Sequence, residues 1–179
     1  MPAKGQKLVN PKNGEYFEFF KTAEETGGTS ATIRLLLKPG GFKPVMHKHL
    51  YQDETFEVIS GQLTYVLEGS PPVTIGPGEK VTLPKGVGHT HFNGGNEDLL
   101  MHQTATPALD FEPFLEALHY QIVKGNVKAG QPPFLQLMVW MNELEGKSCV
   151  ANIPVGVQKA LAAVLAPLGK LAGYKAFYH

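Results

Sequence analysis

Up to about Pro107 the chain is built of short apolar or alternating runs separated by glycine- and proline-rich breaks. The runs are Glu15–Thr22, Ala31–Lys38, Thr55–Ile59, Gln62–Leu67, Val73–Ile75, Lys80–Leu83, His89–Phe92 and Leu99–Thr104. Between them stand Pro39-Gly40-Gly41, Ser60-Gly61, Pro71-Pro72, Gly76-Pro77-Gly78 and Asn93-Gly94-Gly95, residues that set or permit turn conformations. Short strands at this close spacing predict an antiparallel sandwich or barrel.

Beyond Pro107 the apolar period lengthens to that of helices. Asp110 stands where an N-cap belongs, Pro113 falls in the first turn, and Phe111, Phe114, Leu115, Leu118 and Ile122 share one face until Gly125. Phe134–Glu145 is a second helix, apolar around most of its girth and therefore expected to be buried on several sides. A third, Gly156–Gly173, carries Val157, Leu161, Val164, Leu165 and Leu168 as its stripe, with Pro167 expected to kink or split it. With no internal repeat and no low-complexity linker, residues 1–106 read as a barrel and 107–179 as a helical extension packed on it, one structural unit.

Length and charge narrow the function. A chain of 179 residues suffices for one well-buried domain. Sixteen basic and sixteen acidic side chains cancel, and no local basic stripe offers a footprint for nucleic acid. The single cysteine, Cys149, excludes an internal disulfide, fits a reducing compartment and reads as a small buried hydrophobe. The polar N-terminus carries no apolar signal core, and the most apolar stretch, Ala160 to Gly169, is ten residues, too short to span a bilayer. A cytoplasmic protein without a membrane partner is expected.

The candidate chemistry lies in two segments, Gly41 to Gly61 and Gly78 to Asn93. In a strand, side chains two apart share a face, so His47 and His49 can point together into a barrel. Glu54 lies an odd step further on, so Leu50–Asp53 must turn or offset and Glu54 must open the neighbouring strand. From there Glu54, Phe56 and Val58 share one face and Asp53, Thr55 and Glu57 the other, which selects Glu54 over Glu57 as a ligand. His89, after the Pro84-Lys85-Gly86 turn, can close the site from across the barrel. Three imidazoles and a carboxylate suit one divalent Fe, Mn, Zn, Ni, Co or Cu ion and are poorly matched to Ca or Mg. On an octahedral metal they leave two open positions, as a reactive site requires. His91 shares parity with His89 and Asn93 and faces inward, either as a group near the metal that contacts substrate or as a polar wall residue. Phe56, Val58 and Leu63 are candidates for a pocket wall or for ordinary core. His102 has no register that the sequence fixes, and His119 reads as a packing residue.

The two segments resemble the paired motifs of the cupin superfamily, G(X)5HXH(X)4E(X)6G and G(X)5PXG(X)2H(X)3N. All ten fixed positions match in residue and spacing: Gly41, His47, His49, Glu54 and Gly61, then Gly78, Pro84, Gly86, His89 and Asn93. The resemblance spans roughly residues 15–106, and the end of the tail, from Leu165 to Tyr174, is similar to tails of some bacterial cupin-2-type proteins. It implies a mainly β fold, an antiparallel double-stranded β-helix or jelly-roll barrel, here with C-terminal α-helices. It also implies a metal on His47, His49, Glu54 and His89, but not one reaction. A metal-dependent enzyme of small molecules is expected, an oxygenase first, with isomerase, decarboxylase or lyase chemistry as alternatives. A non-catalytic binding or sensory cupin is the rival class, and a metal that only braces the barrel a third reading. Sheet edges and apolar helices point to a homodimer.

Overall fold

The structure, a computed structural model, describes residues 2–128, 130–144 and 148–178. Its strands are β1 (Lys7–Val9), β2 (Tyr16–Lys21), β3 (Ala31–Leu37), β4 (His47–His49), β5 (Asp53–Ser60), β6 (Leu63–Leu67), β7 (Val73–Ile75), β8 (Lys80–Leu83), β9 (His89–Asn93), β10 (Leu99–Thr106) and β11 (Ser148–Val150). The helices are α1 (Phe111–Val123), α2 (Phe134–Glu143) and α3 (Val155–Leu171). One antiparallel sheet has the order β1-β2-β3-β10-β5-β8 and the other β11-β4-β9-β6-β7. From β3 to β11, apart from the β6–β7 hairpin, consecutive strands alternate between the two sheets, as in the double-stranded β-helix expected from the motifs.

Period-2 patterning places the core. Ala31, Ile33, Leu35 and Leu37 of β3 are buried, as are Leu99, Met101, Gln103 and Ala105 of β10, while the residues between them are not. The outer faces carry polar pairs such as Thr32–Thr104 and Thr55–Thr82, each with hydroxyls 2.9 Å apart. Phe56, Val58 and Leu63 meet these inner residues in a core shared with Phe111, Leu115, Leu118, Trp140 and Leu144 of the tail. Two motif glycines are required by their surroundings. A Cβ on Gly61, whose φ is +82°, would lie 2.5 Å from the Asp98 carbonyl oxygen. One on Gly41 would strike the Glu15 carboxylate, which accepts the Lys38 and Phe42 amides at 3.0 and 2.9 Å.

The tail differs from its pattern in three respects. It supplies a strand as well as helices, since β11 pairs with β4 and places Cys149 in a sheet. Helix α3 runs through Pro167 as one element. Four of the five residues of its expected apolar stripe also face outward, Val157, Leu161, Val164 and Leu168 all being exposed, while Leu165 is partly buried against the cluster of Met138, Met141, Cys149 and Ala162. The buried side is instead Gln158, Ala162, Ala166 and Gly169. Small residues let α3 approach α2, where a Cβ on Gly169 would sit 2.8 Å from Val139 Cγ2 and 3.0 Å from the Leu135 carbonyl oxygen. The Gln158 amide bonds the Val150 amide and the Val150 and Ile153 carbonyls, fixing this face against β11. Glu145, the expected end of the second helix, lies outside the described residues. Among those described, no helix is long and apolar enough to cross a membrane.

Candidate metal centre

Two strands of one sheet and one strand of the other bring the expected ligands together. His47 and His49 lie on β4, whose His47 is the register partner of His89 on β9. Glu54 is the second residue of β5 in the facing sheet, and the turn before it changes parity as its motif spacing requires. Glu54, Phe56 and Val58 are buried on one face while Glu57 is exposed on the other. One ligand atom from each of His47, His49, Glu54 and His89 can be chosen so that all lie within 4.8 Å of one another.

The hydrogen bonds orient these atoms. His47 Nδ1 lies 2.7 Å from the Val45 carbonyl and His89 Nδ1 3.0 Å from the Val87 carbonyl. A carbonyl only accepts, so both rings carry their proton on Nδ1 when neutral and keep the Nε2 lone pair for the centre. His49 Nδ1 instead meets the Ser148 hydroxyl at 2.7 Å, a partner brought by β11. His49 Nε2 is buried without a hydrogen-bond partner, 3.4 Å from Glu54 Oε1. Glu54 Oε2 lies 3.0 Å from His89 Nε2, and its Oε1 accepts from Gln103 Nε2 at 2.8 Å. Converging imidazole nitrogens with their far sides already anchored, beside a held carboxylate, are the donor set and outer support that a transition metal takes.

Charge in the site follows burial and proximity. Burial and the neighbouring rings of His49 and His89 push His47 down to about 3, so it is neutral at ordinary pH. Burial also opposes charge on His49, but the Glu54 carboxylate outweighs it and raises that ring. Glu54, which burial alone would raise, is held well below its usual range by His49 and His89. His91 is pushed down to about 4 by burial.

The centre opens on a cavity of about 290 Å³. His91 lines it, and its ring lies 4.5 Å from that of Phe56, which stays behind it in the core. Val58 and Leu63 are core as well. Asn93 faces inward but is structural, donating to the Leu37 and Glu97 carbonyls at 2.9 and 2.7 Å. His102 stacks on Phe20 at 4.5 Å, and His119 Nε2 lies 2.9 Å from the Val9 carbonyl, both away from the centre. Gln103 and Ser148 are absent from the sequence-based set. Gln103 left a signal, an amide at an inward position between Met101 and Ala105. Ser148 left none, being 99 positions from His49.

Residues 33–104 match the family model of the cupin domain. Solved structures with a similar fold include a conserved protein with a double-stranded β-helix domain from Klebsiella pneumoniae, 22% identical, covering 56% of this chain and 84% of its own, with TM-score 0.46. A cupin-like protein from Thermotoga maritima is 20% identical over 60% of this chain and 80% of its own, with TM-score 0.49. A predicted oxalate decarboxylase from the same organism is 20% identical over 60% of this chain and 99% of its own, with TM-score 0.50. No curated protein matches the sequence.

Proposed function

Residues 33–104 are a cupin domain, and from that premise we propose that the chain is a metal-dependent enzyme acting on a small molecule, an oxygenase before an isomerase, decarboxylase or lyase. The observation that carries this reading is the convergence of His47, His49, Glu54 and His89 within 4.8 Å, with His47, His49 and Glu54 lining a cavity large enough for a ligand. The three rings would hold one divalent transition metal through Nε2 and Glu54 through its carboxylate. Such an ion supplies Lewis-acid polarisation or electron transfer when bound. Gln103 fixes the carboxylate that completes the set, and Ser148 fixes the His49 ring. His91, neutral beside the centre, offers substrate a hydrogen-bonding nitrogen, and the apolar wall excludes water. A homodimer is the proposed assembly, and neither nucleic acid nor membrane enters the proposal.

The experiment is elemental analysis of protein purified without metal-affinity steps, followed by a substrate screen under air and under nitrogen. Turnover that requires air is the result expected of an oxygenase. Turnover in both atmospheres assigns an isomerase, decarboxylase or lyase. Ligand-dependent stabilisation without turnover replaces the enzyme reading with a binding or sensory one.

A further inference from the structure

The cavity is lined by the candidate ligands and by a largely apolar wall, and the tail makes most of that wall. It is lined by His49 and Glu54 together with Phe111, Phe114 and Leu118 of α1 and Leu137 and Trp140 of α2. Among the described lining residues none is Lys, Arg or Asp, and Glu54 is the one carboxylate. The remaining polar side chains of the wall are already engaged. Gln103 donates to Glu54, Ser148 meets His49, Gln158 is clamped to the β11 backbone, and Trp140 Nε1 donates to the Ala176 carbonyl. His91 is the exception, 5% exposed and with Nδ1 unpartnered. A ligand rich in hydroxyls or carrying a phosphate would surrender its hydration here and find almost nothing to replace it. An apolar body would gain from the same walls.

We propose that the site takes a ligand with one oxygen-bearing chelating head at the metal and an uncharged apolar body against the side chains of α1 and α2 that line the cavity. His91 hydrogen-bonds the head and so helps to select it. This inference rests on the metal-site reading above. It deepens that reading by assigning the substrate class, with specificity supplied by the tail and not by the cupin motifs.

Alkyl hydroxamates provide the probe, since they hold the chelating head constant while the body grows. Zinc-loaded protein is titrated calorimetrically with acetohydroxamate, butyrohydroxamate and octanohydroxamate, with glucose 6-phosphate and oxalate as polar comparisons. Affinity should rise toward the ideal of about fourfold per methylene, so that octanohydroxamate binds at least a hundredfold more tightly than acetohydroxamate and more tightly than either polar compound. His91→Phe should keep its zinc and the chain-length dependence but weaken every hydroxamate by about tenfold. A flat response to chain length in zinc-loaded protein, or tighter binding of glucose 6-phosphate, overturns the substrate class and leaves the metal site standing. An unchanged affinity in His91→Phe overturns the role of His91. Protein that takes up no zinc overturns the metal reading, and this inference with it.

Discussion

Glu54 and Glu57 are the same side chain three positions apart on β5, and their surroundings assign them opposite parts. Glu54 is 3% exposed and bonded by His89 and Gln103, while Glu57 is exposed opposite His102 and Lys80. Glu54→Gln should release metal to a chelator much faster than the unmodified protein, whereas Glu57→Gln should behave as the parent. The reverse ranking, read by absorbance of a chelator indicator, would place the ligand on the wrong face. A second expectation concerns pH in the metal-free protein. His47 and His91 are held near 3 and 4 against an ordinary 6.5, so between about pH 6.5 and 4 the unfolded chain binds protons that the folded chain refuses. Stability must then fall on acidification, by up to about 1.4 kcal/mol per pH unit for each group. His49 does not offset this, because a raised value contributes stability that is already full below 6.5 and is lost only as pH rises through the folded value. The lowered Glu54 contributes a constant amount above 4.5 and loses it only as pH falls through its folded value. The urea midpoint of chelator-treated protein should therefore be lower at pH 5 than at pH 7, and a flat or rising midpoint would contradict the burial of these rings as neutral groups.

At the scale of elements, β11 ties the tail to β4, the strand of His47 and His49. It pairs with β4, and its Ser148 anchors the one candidate ligand histidine that lacks a carbonyl on Nδ1. Ser148→Ala should weaken metal retention about ten- to a hundredfold, the usual cost of losing such a partner, while Ser148→Thr should restore most of it. Retention equal to the parent in the alanine variant would show the contact to be incidental. None of this was legible beforehand. The four expected ligands were, because parity and motif spacing act over a few residues, so His47 with His49, and Glu54 against Glu57, could be placed by counting. Ser148 reaches its partner through a strand pairing that no local pattern encodes. Helix α3 shows the same limit from the other side. Its apolar stripe was visible as periodicity, but periodicity does not say which face packs. Close approach at Ala162, Ala166 and Gly169, with the Gln158 clamp, turned all of the apolar stripe but Leu165 outward.

For the whole molecule, the tail is part of the barrel's interior as well as of the cavity wall. Phe111, Leu115, Leu118 and Trp140 share one core with Ile33, Phe56 and Met101. Fully burying side chains of this size stabilises by about 1.5–3 kcal/mol each, against a typical total of 5–15 kcal/mol. Ending the chain after Pro107 should therefore give aggregated or poorly folded protein, although every ligand remains. A truncated barrel that stays soluble and melts like the full chain would make the tail dispensable. The most direct test of the central claim is the metal content of untagged protein, measured by elemental analysis beside the double substitutions His47→Ala with His49→Ala and His47→Ala with His89→Ala. Close to one transition-metal ion per chain is expected in the parent and almost none in either double variant. Folded double variants that retain the full metal content would contradict the assignment of the site.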